Sequence, residues 1–328
     1  MHVAKSRKKF NVKTMEYDFA IIGTGAAGLS AALYGGRYQM KVIAFGDDFG
    51  GYTAIAGTIE NYPGNKSVDG FELMQIMKTQ ALESGAEIHD EKIVSVEKKD
   101  AYFLLKTESG KTITASAVLL ATGSKRRQLG LPNENELTSK GVHYCATCDA
   151  PMYGGKTIAV VGGGDGAVKG AHLAAEYAKK IYLIVRGPVL RAEPINSEEL
   201  LKLGDQVEII YNNNVTEIIG KQFLEKITLA QPYKGSTELV IDGLFVEIGA
   251  NPRTELVKPL GVELDPYGHI KTNAKMETNV SGVYAAGDIA DLFGTFKQDI
   301  TAAAMGAVSA SSAYEFVKKN GRIQKSAI

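Results

Sequence analysis

Cysteine is nearly missing from this chain of 328 residues: Cys145 and Cys148 are the only two. A disulfide framework of the kind that holds small secreted proteins together is therefore excluded. Net charge is missing too. Lys+Arg and Asp+Glu both number 37, which removes the global cationic field of a dedicated nucleic-acid binder. No run approaches the roughly 18 consecutive apolar residues that a bilayer crossing needs, and the basic start lacks the apolar stretch of a secretory signal. The expectation is a cytoplasmic protein with neither nucleic acid nor membrane as partner. Lys5, Arg7, Lys8, Lys9 and Lys13 fall among the first 15 residues without an acid, leaving 32 bases against 37 acids in the rest. Residues 1–14 read as a solvated basic tail on a mildly acidic body.

The length predicts about two domains at ~100–200 residues each. Glycine, at 36 residues, is abundant and clusters beside short apolar runs. Asp18-Phe-Ala-Ile-Ile22 suits a strand buried on both faces and leads straight into Gly23-Thr-Gly25-Ala26-Ala27-Gly28. An Ala- and Leu-rich helical stretch to about Tyr38 and a second apolar strand, Lys41–Phe45, complete a βαβ unit. In such a G-x-G-x-x-G turn the glycines allow close backbone approach, and the helix N-terminus offers free N–H groups to a pyrophosphate. The plan repeats with Thr157–Val161, Gly162-Gly-Gly164-Asp165-Gly166-Ala167, a helix to about Lys179 and Ile181–Val185, the two fingerprints starting 139 residues apart. Asp165 reads as a helix N-cap.

Further apolar strands end in glycine at Ala117–Gly123 and Leu244–Gly249, and Gly282–Asp288 reads as a strand delivering a carboxylate at its C-terminal end. Ligands bind at such ends in open α/β sheets. Residues 92–114 suggest an antiparallel meander, and residues 207–229 the same in the second unit. The fold class is thus α/β, with two Rossmann-like, three-layer ββα dinucleotide-binding domains, the second inserted in the first. The expected division is residues 15–126 with 253–328 for one domain and 127–252 for the other, with linkers near 125–130 and 250–254.

Cys145-Ala-Thr-Cys148 precedes the second unit. A structural zinc wants four ligands, and only His143 lies near, so a redox role is favoured over a metal. At a helix N-terminus one thiol of such a pair has a lowered pKa and exchanges disulfides readily. Asp149, next in the chain, is placed to pass a proton to a departing thiolate. His143 reads as a surface residue beside Tyr144 in preference to a thiolate activator.

These motifs, in this order, resemble the low-molecular-weight thioredoxin reductase family from about Tyr17 to Val317. The matching residues are Gly23–Gly28, Gly50-Gly51 with Glu60-Asn-Tyr-Pro-Gly64, Ala121-Thr122-Gly123, Cys145–Asp149, and Gly287-Asp288 with Phe296-Lys297-Gln298. The resemblance implies FAD on the first domain. Gly23, Gly25, Ala26, Ala27 and Gly28 would hold its pyrophosphate, with Gly50, Gly51, Ala121, Thr122, Gly123, Gly287 and Lys297 also lining the site. Asn61 and Gln298 would lie near the flavin and Asp288 at the ribityl chain. It further implies that Cys148 contacts the flavin, Cys145 forms the mixed disulfide and Asp149 transfers the proton. The implied assembly is a cytoplasmic homodimer whose inserted domain rotates and whose substrate is a thioredoxin-like protein.

Three features depart from that family pattern. Tyr52 stands where the family has glutamine, and the stretch from Asp288 to Lys297 is slightly longer. In the second nucleotide site, Gly162, Gly164, Asp165, Gly166 and Ala167 keep the turn. However, Val185-Arg186-Gly187-Pro-Val-Leu-Arg191 keeps two of the three arginines of NADPH users, with Gly187 replacing the third. One lost charged hydrogen bond, worth ~1.5–3 kcal/mol, would lower NADPH preference roughly ten- to a hundredfold. Lys169-Gly170 replaces two acids, and a helical glycine costs ~1 kcal/mol relative to alanine, so this segment reads as relaxed. NADPH, NADH or a ferredoxin-type carrier therefore all stay open as electron donors to a thioredoxin-disulfide reductase. A non-enzymatic redox-sensing flavoprotein is the rival from another class.

Overall fold

The computed structural model describes residues 16–294 and 296–320, so the basic tail expected at residues 1–14 lies outside the described residues. The chain divides into two compact units. One is built from both ends of the chain, up to Ser124 and from Pro252 onward, and the other from Lys125–Asn251. Among the described residues no helix is long and apolar enough to cross a membrane.

The first unit opens with β1 (Tyr17–Ile22), α1 (Ala26–Arg37) and β2 (Val42–Phe45). It continues through α2 (Gly70–Glu83), β3 (Glu87–His89), β4 (Ile93–Lys98), β5 (Phe103–Thr107) and β6 (Thr112–Leu120). In the second unit come β7 (Val142–His143), α3 (Ala146–Asp149), β8 (Thr157–Val161), α4 (Asp165–Ala174), β9 (Lys180–Ile184) and α5 (Pro194–Leu201). Then follow β10 (Val207–Ile210), β11 (Val215–Gly220), β12 (Leu224–Tyr233), β13 (Ser236–Val240) and β14 (Gly243–Val246). The chain returns to the first unit with β15 (Val283–Ala285) and α6 (Asp299–Lys319).

The sheet of the first unit runs β3-β2-β1-β6-β5-β4, and β15 also pairs with β6. Strand β6 serves two ladders. Its first half, Thr112–Ala115, pairs antiparallel with β5, while Val118–Leu120 pairs parallel with β15, and β1 lies parallel along its other edge. The expected meander and the expected parallel strands are thereby one sheet. Phe19, Ile21, Leu119, Leu120 and Tyr284 are fully or almost fully buried there, as a parallel sheet covered on both faces requires. Helix α2 begins at Asp69, whose carboxylate accepts the N–H groups of Phe71 and Glu72 at 2.9 and 3.3 Å, an N-cap that satisfies two of the first-turn donors.

Helices α1 and α6 approach closely because their contact is built from small residues. A Cβ at Gly306 would stand 2.0 Å from the Ala27 carbonyl oxygen. Ser30 donates to the Ala303 carbonyl at 2.7 Å across the same contact.

In the second unit, five parallel strands run β7-β14-β8-β9-β10, and β11-β12-β13 form a separate antiparallel sheet. Alternation along β8 builds both faces. Ile158 and Val160 pack with Ala167, Val168 and Ala171 of α4, while Ala159 and Val161 pack with Ile218, Ile227 and Leu229 of the antiparallel sheet. Two expectations are corrected here. The meander starts at Val215, because Val207–Ile210 pairs parallel with β9. Val207 and Ile209 pack on the helix side and Ile210 on the other, so this strand is covered on both faces and belongs with the parallel set. Helix α4 also stops at Ala174, short of Lys179. The Gln206 side chain donates to the carbonyls of Ala175 and Ala178 at 2.6 and 2.8 Å, holding the chain in a turn.

Gly306→Ala is expected to destabilise the first unit by about 1–3 kcal/mol, since the added methyl meets backbone that cannot yield. Gly187→Ala, where a Cβ meets no heavy atom within 4 Å, is expected to change stability by less than about 0.5 kcal/mol. Denaturation midpoints of the two variants check both.

Candidate active site with two glycine turns and a dithiol

The first glycine turn closes because no side chain stands in it. A Cβ at Gly28 would lie 1.8 Å from the Gly23 carbonyl oxygen, and one at Gly23, where φ is +114°, 2.1 Å from that of Ala121. Helix α1 starts at Gly25 without a side-chain cap and without an acid in its first turn. Its first N–H groups are thus left for a ligand, with the positive end of the helix dipole behind them. Thr24 Oγ1 is buried with no hydrogen-bond partner.

Neighbouring segments converge on this turn. Gly50 N–H donates to Thr24 O at 3.2 Å, and Gly50 and Gly51 adopt φ of +70° and +55°, leading Tyr52 into a single helical turn. Thr53 bonds Asp299 at 2.5 Å, and Asn61 Nδ2 donates to Gln298 Oε1 at 3.1 Å. Gln298 caps α6, forming a capping box with Thr301. Ala121, Thr122 and Gly123 follow β6, and Ser124 Oγ donates to Asp288 Oδ2 at 3.3 Å. Burial raises the Asp288 pKa against the pull of Lys297 and lowers that of Lys297, whose ammonium bonds the Ala290 carbonyl at 2.5 Å. The orphaned Thr24 hydroxyl, the uncapped helix and a cradle with no room for a Cβ fit a dinucleotide such as FAD.

The second glycine turn has the same backbone with different surroundings. At Gly162, where φ is +142°, a Cβ would lie 2.2 Å from the Glu247 carbonyl oxygen. Gly164 is the N-cap of α4, which corrects the expectation for Asp165. The Asp165 carboxylate instead accepts Glu193 N–H at 2.9 Å and Asn196 Nδ2 at 2.7 Å, tying down the segment after β9. Arg191 N–H donates to Gly163 O at 2.6 Å, and the side chains of Arg186 and Arg191 are exposed. Gly166 and Ala167 lie in the first turn of α4.

Glu247, which sequence reasoning did not single out, ends up between this turn and the dithiol. Its side chain is 8% exposed and pairs with Arg126. A Cβ at Gly166 would lie 3.4 Å from Glu247 Oε2, and a Cβ at Gly170 would lie 3.1 Å from Ala146 Cβ and 4.0 Å from Glu247 Cγ. Gly170 thus packs closely on α3 and does not stand loose, which corrects its reading as relaxed: α4 turns Gly166 and Gly170 toward α3 and the Glu247 side chain. Burial raises the Glu247 pKa to about 7, outweighing Arg126 and the N–H of Ala146 that bonds the carboxylate. One signal was available, a lone acid inside the otherwise apolar run Leu244–Ile248.

Cys145 and Cys148 form a disulfide with Cα atoms 5.3 Å apart. Cys145 is the N-cap of α3, its sulfur accepting the Cys148 N–H at 3.2 Å. Cys148 is exposed, and Cys145 and Asp149 are half-buried. His143 is not a surface residue. It is buried in β7 at 4% exposure, because the central β14 beside it brings Phe245 to a ring stack at 5.3 Å. Its Nδ1 lies 3.0 Å from Asp149 Oδ2 and its Nε2 2.7 Å from the Tyr153 hydroxyl. Burial lowers the His143 pKa although Asp149 pulls the other way, which favours the neutral ring.

A family model described as pyridine nucleotide-disulphide oxidoreductase matches residues 17–310. A thioredoxin reductase of Peptoclostridium acidaminophilum is 40% identical over 313 residues, covering 93% of this chain and 98% of that protein. Among solved structures, thioredoxin reductase of Lactococcus lactis is similar at a TM-score of 0.87 and 32% identity, over 93% of this chain and 100% of the other. A ferredoxin-flavin thioredoxin reductase of Clostridium acetobutylicum is similar at a TM-score of 0.50 and 34% identity, over 92% and 98%.

The raised Glu247 pKa makes a signed prediction. Burial pushes the folded carboxyl up to about 7 from its ordinary 4.5, so the folded state binds more protons between those values and loses stability as pH rises through them. Glu247→Gln stays neutral throughout. Its stability relative to the native sequence is expected to rise by about 2–3 kcal/mol between pH 5 and pH 8, read from denaturation midpoints at both pH values.

Proposed function

The chain belongs to the pyridine nucleotide-disulphide oxidoreductase family, in its low-molecular-weight thioredoxin reductase branch, and from there we propose that it is a thioredoxin-disulfide reductase. The observation that carries this reading is the Cys145–Cys148 disulfide across the start of α3, with Asp149 next in the chain. Gly23, Gly25, Ala26, Ala27 and Gly28 would hold the pyrophosphate of FAD, with Gly50, Gly51, Tyr52, Ala121, Thr122, Gly123, Gly287, Asp288 and Lys297 lining the site and Asn61 and Gln298 on the side of the flavin. Bound FAD supplies the two-electron chemistry that opens the disulfide.

The chain's own residues do the rest. As N-cap of α3, Cys145 has its sulfur against a backbone N–H, which favours the thiolate. That thiolate attacks the substrate disulfide, and Asp149 passes a proton to the sulfur that leaves. Cys148 then attacks Cys145, re-forming the bond and freeing the second substrate sulfur. The substrate is a thioredoxin-like protein, and the same likeness implies a cytoplasmic homodimer.

Electrons enter from NADPH or NADH held at Gly162, Gly164, Asp165, Gly166 and Ala167, with Arg186 and Arg191 as phosphate clamps. A second reading replaces the nicotinamide by a ferredoxin-type carrier. It is favoured by Gly187, which stands where the third phosphate-binding arginine of NADPH users would be.

In thioredoxin turnover assays Cys148→Ser is expected to lose about 100-fold or more while retaining bound flavin. Turnover at the native rate would sink the dithiol role. Anaerobic mixing separates the donors: bleaching of the flavin band by NADPH or NADH within a single turnover supports the nicotinamide site. Bleaching by reduced ferredoxin alone supports the carrier.

A further inference from the structure

His143 does something that a merely buried histidine need not do. A neutral imidazole has one donor and one acceptor nitrogen, and an ionised carboxylate only accepts. Asp149 Oδ2 at 3.0 Å from Nδ1, an acceptor, favours the ring proton on Nδ1. That leaves Nε2 as an acceptor, so the Tyr153 hydroxyl at 2.7 Å donates to it. Burial, with the nearby charges of Asp149 and Asp242, pushes the Tyr153 pKa up to about 12, so the phenol keeps its proton across the working range. The ring is held from the sides as well, stacked on Phe245 at 5.3 Å and edge-on to Tyr153 at 5.5 Å. Three residues spread along the segment 143–153 thus form a chain that ends at the carboxylate following Cys148.

We propose that His143 is a positioning residue of the thiol chemistry, holding Asp149 Oδ2 through Nδ1–H so that Oδ1 carries the transferable proton, with Tyr153 locking the tautomer. The inference rests on the reductase reading above and deepens it. The hold survives proton transfer, because a carboxyl group protonated at Oδ1 still presents Oδ2 as an acceptor. In the step itself, the bond between Cys145 and one substrate sulfur forms as the substrate disulfide breaks. The departing thiolate takes its proton from Asp149, which recovers one from the Cys148 thiol as that ionises to attack Cys145. Two enzyme thiols are oxidised to a disulfide and one substrate disulfide is reduced to two thiols. Two protons pass from the enzyme sulfurs to the substrate sulfurs by way of Asp149: the one it gives first came from the Cys145 thiol, and the one it recovers from Cys148 goes to the second substrate sulfur as that leaves.

The test compares two variants of the flavin-loaded enzyme. His143→Leu fills the space without a donor, whereas His143→Asn keeps an N–H near the position of Nδ1. With thioredoxin as substrate, His143→Leu is expected to lower kcat about tenfold or more with little change in KM, since general-acid catalysis is worth ~10²–10⁴-fold and positioning is part of it. His143→Asn is expected to recover kcat to within about threefold of the native enzyme. Nitrogen NMR of the native protein is expected to show a neutral ring protonated on Nδ1, and Tyr153→Phe to shift population toward the Nε2–H form. Native turnover by His143→Leu, equal slowing of both variants, or a native Nε2–H tautomer would each overturn the proposal. A native enzyme that fails to reduce thioredoxin, or a Cys148→Ser variant that still does, would overturn the reductase reading and this inference with it.

Discussion

Backbone must touch backbone in this protein with nothing between. At Gly28 against the Gly23 carbonyl, Gly162 against the Glu247 carbonyl and Gly306 against the Ala27 carbonyl, an added Cβ would lie 1.8–2.2 Å from an oxygen. Such contacts seat α1 and α4 directly at the ends of their strands, with no side chain capping the N–H groups of their first turns, an arrangement that suits a phosphate. Every later feature inherits that geometry: the convergence of residues 50–52, 121–123 and 287–288 on the first turn, and the packing of α3 on the glycine face of α4.

Around the dithiol the decisive quantities are electrostatic. Helix α3 is one turn long, too short to persist alone, and two acids attach it to the rest of its unit. Asp149 at its end is held by a neutral, buried histidine on the half-exposed side. Glu247 reaches its first N–H, at Ala146, from the interior, where burial outweighs the attraction of Arg126. One carboxylate is half-exposed and the other is buried at 8% exposure, so the two differ in what they can do with a proton although both attach the same short helix.

Much of this was legible in the residues. Alternating burial follows from the apolar runs Asp18–Ile22 and Thr157–Val161, and the glycine spacing places both turns. The Cys-Ala-Thr-Cys-Asp run announces redox chemistry. Asp165 was misjudged because N-cap residues and first-turn residues look alike in sequence, and its partners Glu193 and Asn196 arrive from beyond the next strand. Gly170 looked like slack because the helix that needs its missing side chain lies more than twenty residues earlier. His143 looked exposed because its burying neighbour, Phe245, is about a hundred residues away.

The strands, the two glycine turns and the pairing of the two sulfurs follow from local periodicity, backbone freedom and spacing along the chain, which the residues alone contain. Only the tertiary structure decided which polar groups are buried together. His143 is buried because β7 and β14, about a hundred residues apart in sequence, pair side by side as parallel strands, and Glu247, which follows β14, meets Arg126 from far along the chain. Burial and proton affinity are properties of that packing, not of any residue alone.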